Sequence, residues 1–239
     1  MKRLTFPVYT LFALLMLATV SCEKDDDDNN PADEFKFESL ETPYLVCAGR
    51  NPGGIGFDFE NDGNKGGAFN IDDETASANL KYDLKIRTIK GEKGDGSLGG
   101  APFVQLHNDV QAVNYSAVDA TCAGITKFKA LTSTGLKNYT LANDDASFDV
   151  SNVTTGETGA PLMGKLQTEY AKLVIGDAWK AAAKNNKTED EPIWIVKTRE
   201  GRLIKLIVTD FPADPAVYPN HKPAVTETGF VDITWDYLD

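Results

Sequence analysis

The sequence has few of the residues that usually carry metal or nucleophilic chemistry. Its 239 residues include only two histidines, three cysteines and three methionines. Two histidines without a paired-cysteine motif give no recognisable zinc site. No Gly-x-Ser-x-Gly sequence is present to mark a serine nucleophile, and the glycine-rich segment 90–100 lacks the Gly-Lys-Ser/Thr ending of a phosphate loop. These absences argue against an enzyme.

Acidic residues, in contrast, are plentiful. Because charge runs on an acidic protein are usually solvated, we interpret the acidic groups as solvent-facing surface and not as catalytic or calcium-binding sets. Examples are Asp72-Asp73, Asp144-Asp145 and Glu189-Asp190-Glu191.

The N-terminal apolar run, residues 11–20, is shorter than the about 20 residues that a membrane-spanning helix needs. Lys2 and Arg3 precede it, and small residues followed by Cys22 come after it. This pattern is typical of a secretory signal peptide over residues 1–21. Ser21-Cys22 further indicates a bacterial lipoprotein signal, with lipid attached to Cys22. The alternative is an ordinary signal peptide with an incidental cysteine.

An acidic run, Glu23–Asp28, follows Cys22 directly. A charged segment of this kind is expected to be a disordered tether, here residues 22–33. The run resembles the export signal that sends lipoproteins to the outer face of the outer membrane in Bacteroidetes. We therefore expect a lipid-anchored protein exposed at the cell surface.

The remaining chain is acidic. Removal of residues 1–21 leaves 218 residues, and because Lys2 and Arg3 go with them the net charge of −12 becomes −14. Residues 34–239 are enough for one domain with a real core. The negative charge argues against nucleic acid and against direct contact with anionic lipid, so we expect membrane contact only through the anchor.

Two cysteines, Cys47 and Cys122, remain once Cys22 carries lipid. An exported protein can form disulfides, so the two could be paired. Two buried thiols are the alternative.

The strongest pattern in the chain lies between residues 193 and 237. Ile193–Lys197 and Leu203–Thr209 are apolar on both alternating faces, which predicts central strands covered on each side. The glycine-containing segment between them, 198–202, predicts a hairpin. Phe230–Leu238 alternates Val231, Ile233, Trp235 and Tyr237 with polar residues, which predicts an outer strand with one wet face.

Other segments give weaker signals. Leu80–Ile89 predicts a strand with Tyr82, Leu84 and Ile86 in the core and Asp83, Lys85 and Arg87 in water. Lys90–Gly100 predicts a mobile loop. Short strands are predicted within Pro102–Val113 and Thr126–Leu131, and helical spacing over Leu162–Val174 and Ala178–Lys184 predicts two short helices. The sequence therefore predicts a mainly β fold, a single domain of antiparallel sheets with a few short helices.

Two of these stretches resemble a known family. The segment Ile193–Thr209, followed by a loop and Thr228–Tyr237, is similar to the end of HmuY-like proteins, which are haem-binding outer-membrane lipoproteins of Bacteroidetes. Tyr82–Arg87 together with Gly99-Gly100-Ala101 is similar to the aromatic-Asp strand and Gly-Gly-Ala segment of that family. The likeness covers about a third of the chain and leaves 114–183 unmatched.

The resemblance implies an HmuY-like fold and non-enzymatic capture of haem or a related porphyrin, with an outer-membrane receptor as a further partner. Haem iron is held by axial ligands such as His or Met. The family's paired histidines ahead of the final hairpin are absent here, so the candidates are Met163, His107 and His221. By themselves, His107 and His221 are typical of surface or loop histidines, and Met163 of a core filler. A surface lipoprotein of the same fold that binds a glycan or a partner protein is the alternative.

Overall fold

The computed structural model describes nine ranges of the chain: residues 38–39, 44–47, 54–61, 64–70, 82–92, 98–150, 159–184, 189–211 and 230–238. All of them belong to the compact unit Phe35–Asp239. The predicted signal peptide and tether, Cys22 and His221 lie outside the described residues.

The described strands form two antiparallel five-stranded sheets. Sheet A has the order β1-β4-β3-β5-β6 and sheet B the order β2-β10-β9-β8-β7. The strands are β1 (Glu38–Ser39), β2 (Tyr44–Cys47), β3 (Ile55–Asn61), β4 (Asn64–Asn70), β5 (Leu84–Glu92), β6 (Leu98–Leu106), β7 (Gln111–Asn114), β8 (Ile193–Lys197), β9 (Leu203–Asp210) and β10 (Phe230–Tyr237). The prediction of a mainly β fold is confirmed.

The helices of the described residues are short. They are α1 (Tyr115–Val118), α2 (Gly124–Ala130), α3 (Gly159–Tyr170) and α4 (Lys180–Lys184), with a 3-10 turn at Ser133–Gly135. The predicted helices at Leu162–Val174 and Ala178–Lys184 correspond to α3 and α4. Gly124, the first residue of α2, has a φ of +77°.

The inner faces of both sheets meet in one apolar cluster. Sheet A contributes Phe57, Phe59, Leu84, Ile86, Val104 and Leu106, and sheet B contributes Trp194, Val196, Ile204, Leu206, Val208, Val231, Ile233 and Trp235. The alternate residues of the central hairpin, Ile193, Ile195 and Ile207, belong to a second cluster on the outer face of sheet B with Tyr115 and Phe128. The prediction that β8 and β9 are covered on both sides is confirmed, and α1 and α2 supply the outer cover.

The outer face of sheet A is covered by α3. Phe103 of β6 packs there with Leu166 and Tyr170 of α3, and the Phe103 and Tyr170 ring centroids are 4.6 Å apart. Each sheet thus has an apolar inner face and helical cover outside.

Three predictions about elements were wrong. Thr126–Leu131 lies mostly in α2, because Ile125 and Phe128, three residues apart, both pack on sheet B, and a short apolar run does not distinguish a strand from a helix. The predicted loop Lys90–Gly100 is largely hairpin, since Lys90 pairs with Gly100 and Glu92 with Leu98. β10 is not an outer strand, because it pairs with β2 on one side and β9 on the other.

Candidate functional site

A buried ion cluster joins the two sheets. Asp83, which directly precedes β5, is fully buried, although alternation predicted that it faces water. Its Oδ2 accepts the backbone N–H of Phe59 in β3, and its Oδ1 accepts that of Arg199 in the β8–β9 turn, both at 2.9 Å. One carboxylate therefore fixes β3, the start of β5 and the turn of the opposite sheet.

The β8–β9 turn delivers Arg199 to this cluster. The N–H of Gly201 donates to the Thr198 carbonyl and that of Thr198 to the Arg202 carbonyl, which closes the predicted hairpin. Gly201 has a φ of +89°, a conformation that glycine adopts without strain. The turn places the Arg199 guanidinium 3.2 Å from Asp58 Oδ2 and 3.5 Å from Asp83 Oδ1.

Burial sets the electrostatics of the cluster. Burial raises the pKa of Asp83, and the N–H bonds from Arg199 and Phe59 and the guanidinium charge act against that rise. Removing either partner of such a buried pair leaves an uncompensated charge, which is far more costly than an exposed pair would suggest.

The same cluster contains three acids close enough to share a cation. Oxygens of Asp58, Asp83 and Glu200 lie within 4.8 Å of one another, and no other such group of three occurs in the described part of the chain. The Arg199 side chain lies among them, 3.7 Å from Glu200 Oε1. Arg199 already provides the positive charge, so we assign this cluster a structural role.

His107 lies just after β6, half-buried against Tyr82. Their rings meet edge to face with centroids 5.3 Å apart. The His107 Nδ1 accepts the N–H of Asp109 at 3.3 Å, and the Asp109 carboxylate lies 3.6 Å from the same nitrogen. His107 therefore lies in the turn after β6, in agreement with the prediction of a surface or turn histidine, and its neighbours hold it half-buried.

Met163 lies on the first half of α3 and is 38% exposed. The interpretation of Met163 as a core filler was wrong, because α3 turns Leu166 and Tyr170 towards sheet A instead. No described contact brings Met163 together with His107. His221 lies outside the described residues.

Two cations accompany His107 on the outer face of sheet A. Leu84 and Ile86 belong to the inner core, so the alternating Lys85 and Arg87 face outwards, where Arg87 pairs in register with Phe103. The Lys85 ammonium lies 5.9 Å from the Tyr82 ring, and the Arg87 guanidinium lies 5.8 Å from the Phe103 ring. Burial, and then the charge of Arg87, lowers the pKa of Lys85.

Sequence reasoning did not predict the burial or the backbone hydrogen bonds of three acidic residues, Asp83, Glu191 and Asp144. Asp83 and Glu191 are completely buried, although both were predicted to face solvent. Asp144 accepts the N–H groups of Leu106 and Val174 and thereby ties β6 to the segment after α3. For Asp83 alone a signal existed, namely the aromatic-Asp pattern of the family resemblance.

Cys122 is a buried free thiol, so it forms no disulfide with Cys47 in this structure. Burial raises the pKa of the Cys122 thiol. No helix in the described ranges is long and apolar enough to cross a membrane.

Comparison with protein-family models, with curated proteins and with solved structures finds no match to this chain. The class of the fold therefore rests on the strands and helices described above: it is a mainly β domain of two antiparallel sheets with helical cover. Membership of the HmuY-like family stays a prediction from the residues quoted above.

Proposed function

We propose that this chain is a lipid-anchored, non-enzymatic binding protein of the outer-membrane surface that captures haem or a related porphyrin for uptake. The observation that carries the ligand proposal is the group of His107, Tyr82 and Lys85 near the start of β5, where an imidazole, a partly exposed aromatic ring and a cation lie together, with Arg87 two residues further along β5. Haem needs an axial nitrogen or sulfur donor, apolar contact for its ring and cations for its carboxylates.

His107 is the proposed axial ligand. The Nδ1 of His107 accepts a hydrogen bond from the Asp109 N–H, which places the proton of the neutral ring on Nε2. Ligation through Nε2 requires that proton to move to Nδ1, and the Asp109 carboxylate 3.6 Å away is placed to accept the Nδ1–H. A carboxylate behind a ligating imidazole is the usual arrangement around protein-bound metals, because it orients the ring and raises its basicity.

Lys85 and Arg87 are the proposed partners of the porphyrin carboxylates. Lys85 has no carboxylate partner among the residues that the structure describes. A half-buried ammonium beside another cation is stabilised by a bound anion, and the partly exposed Tyr82 ring lies beside Lys85. Met163, exposed on the helix that covers the same sheet, is the second candidate ligand.

The test is titration of the purified protein with haemin, followed by the Soret band. We expect a saturable red shift with one haemin per chain. His107→Ala should weaken binding by about tenfold or more, as for loss of a metal-directing group. Met163→Leu should change the Soret position if Met163 is the second axial ligand, and His221→Ala tests the remaining candidate.

A matched pair of lysines tests the carboxylate contacts. Lys85→Ala should weaken haemin binding, whereas Lys127→Ala on α2, which packs on sheet B, should not. Absence of a saturable Soret change in the parent protein would reject the haem proposal. A surface lipoprotein of the same fold that binds a glycan or a partner protein would then be the remaining interpretation.

A further inference from the structure

Glu191, two residues before β8, is a buried carboxyl group that receives no hydrogen bond within the part of the chain that the structure describes. The residue is 0% exposed, and neither of its side-chain oxygens has a partner. Asp83, which is equally buried, instead accepts two backbone N–H groups. A buried carboxyl group without such donors is far less costly neutral than ionised, so its surroundings favour the protonated form of Glu191.

The charges that act on Glu191 from the described residues are all negative. Glu189 and Asp190 belong to its own segment, and Asp210 ends β9. Burial, and then these three charges, raise the pKa of Glu191 to about 7. The electrostatic environment therefore acts in the same direction as the burial.

The elements packed nearby do not offset this negative charge. The basic residues of α2 are Lys127 and Lys129, which are both exposed, and neither is among the charges that shift the pKa of Glu191. The titratable group just before α2 is the buried Cys122 thiol. On β10, Asp232 pairs with Asp210. Loss of the Glu191 proton would therefore leave a buried negative charge without a compensating cation from these elements.

The segment that carries Glu191 is fastened to α2 by hydrogen bonds. The N–H of Gly124 donates to the Glu191 carbonyl at 2.9 Å, and the Thr126 hydroxyl donates to Glu189 Oε1 at 2.8 Å. A Cβ on Gly124 would lie 2.3 Å from the Glu189 Cα, so the two backbones are in close contact. The start of α2 thus lies directly on the chain around Glu191.

Ser116 of α1 joins the same two segments. Its hydroxyl accepts the N–H of Ile193 at 2.8 Å and donates to the Cys122 carbonyl at 2.6 Å. Phe128 of α2 belongs with Ile193 to the apolar cluster on the outer face of sheet B. Residues 122–126 and 189–193 therefore form one contact, here called the latch, which docks α2 on sheet B.

We propose that Glu191 makes the latch sensitive to pH: with Glu191 neutral the latch is closed, and loss of its proton to solvent opens the latch and releases α2 locally. The physical reason is that an ionised carboxylate needs water or a donor, and opening the contact admits water to it. Opening also uncovers part of the outer apolar cluster of sheet B. This inference is independent of the haem proposal, because the latch lies on sheet B and the proposed haem ligands lie on sheet A.

The direction of the pH effect follows from proton binding. The closed latch holds the proton more tightly than the open one, in which a solvated Glu191 has its ordinary pKa of 4.5. Docking of α2 is therefore complete below pH 4.5 and weakens as the pH rises through about 7. Above about pH 7, each further pH unit favours the open form by about tenfold.

The experiment is hydrogen–deuterium exchange of the full chain at about pH 6 and about pH 8, corrected for the effect of pH on intrinsic exchange and read on peptides by mass spectrometry. We expect the amides of residues 122–131 and 191–193 to exchange about tenfold faster at the higher pH than this correction explains. The amides of β5 and β6 in sheet A should show no such excess.

Two variants of matched shape assign the effect. Glu191→Gln cannot ionise and should abolish the excess exchange. Glu189→Gln removes an exposed charge from the same segment, keeps an oxygen for the Thr126 hydroxyl, and should retain the excess. If Glu191→Gln does not fold, Glu191→Met takes its place, because apolar side chains of similar size commonly replace buried ionic groups without loss of stability.

Three results would overturn the proposal. The first is no excess exchange in the parent protein, or the same excess in the uncharged Glu191 variant. The second is loss of the excess in Glu189→Gln, which would assign it to surface charge. The third is an equal excess in both sheets, which would mean that the whole domain opens and not the latch alone.

Discussion

The carboxylate of Asp83 accepts the backbone N–H of Arg199, 116 residues further along the chain, at 2.9 Å. Asp83 lies in the first of the two stretches that resemble HmuY-like proteins, and Arg199 lies in the second. The two stretches thus meet in one buried ion cluster between the sheets. This contact gives a physical reason why an aromatic-Asp strand and a charged glycine turn would occur together in one sequence.

Replacement of Asp83 by Asn tests this link. The variant keeps the side-chain shape but leaves the buried Arg199 with only one of its two buried carboxylate partners, Asp58, and weakens one of two N–H bonds. We expect the free energy of unfolding to fall by about 3 kcal/mol. Urea denaturation measures it, and Glu200→Gln, at the exposed side of the same cluster, should change it by no more than about 0.5 kcal/mol. Equal effects of the two substitutions would show that burial of the Asp83–Arg199 pair is unimportant.

Two glycines with positive φ should respond differently to alanine. At Gly201 a Cβ would meet only the end of the Lys197 side chain at 3.9 Å. Gly201→Ala should therefore lower the free energy of unfolding by about 1 kcal/mol, from backbone strain alone. At Gly124 the Cβ would also overlap the backbone of Glu189. This overlap should lower the free energy of unfolding of Gly124→Ala by at least about 2 kcal/mol more than the backbone strain alone. Thermal or urea unfolding of the pair measures the difference. A smaller loss for Gly124→Ala than for Gly201→Ala would contradict the close packing of α2 on Glu189.

Glu191 should make stability depend on pH. Burial, and then the charges of Glu189, Asp190 and Asp210, raise the pKa of Glu191 from its ordinary value of 4.5 to about 7. The folded state therefore holds the proton more tightly than the unfolded state, and the stability that this contributes is complete below pH 4.5 and lost as the pH rises through about 7.

We expect the Tm of the parent protein to fall by on the order of a few degrees between about pH 5 and about pH 8. Glu191→Gln removes the titrating group and should flatten this part of the profile. Identical profiles for parent and variant would mean that Glu191 does not titrate in this range.

Cys22 should determine where the protein is found. Without a thiol at position 22 no lipid can be attached, so Cys22→Ala should move the protein from the membrane fraction to the soluble fraction and abolish labelling with a fatty-acid analogue. Cys122→Ala is the control, because the Cys122 thiol is buried and should not affect anchoring. Protease treatment of intact cells checks surface exposure. Retention of Cys22→Ala in the membrane fraction would contradict lipid anchoring.

The sequence by itself determined the central hairpin of sheet B. Side chains alternate across a strand, so the two apolar faces of 193–197 and 203–209 already required cover on both sides, and the glycine at 201 already favoured the turn. The class of fold, mainly β with antiparallel sheets, follows from the same local rules.

Only the tertiary structure decided which charged residues are buried. Alternation assigned Asp83 to solvent, and a run of acids assigned Glu191 to the surface, yet both are completely buried. The position of β10 between β2 and β9 also could not be predicted from the sequence. It depends on pairing with β2, which lies near the other end of the chain. Local patterns specify the face of a strand, whereas burial of a charge depends on which distant partners the fold brings to it.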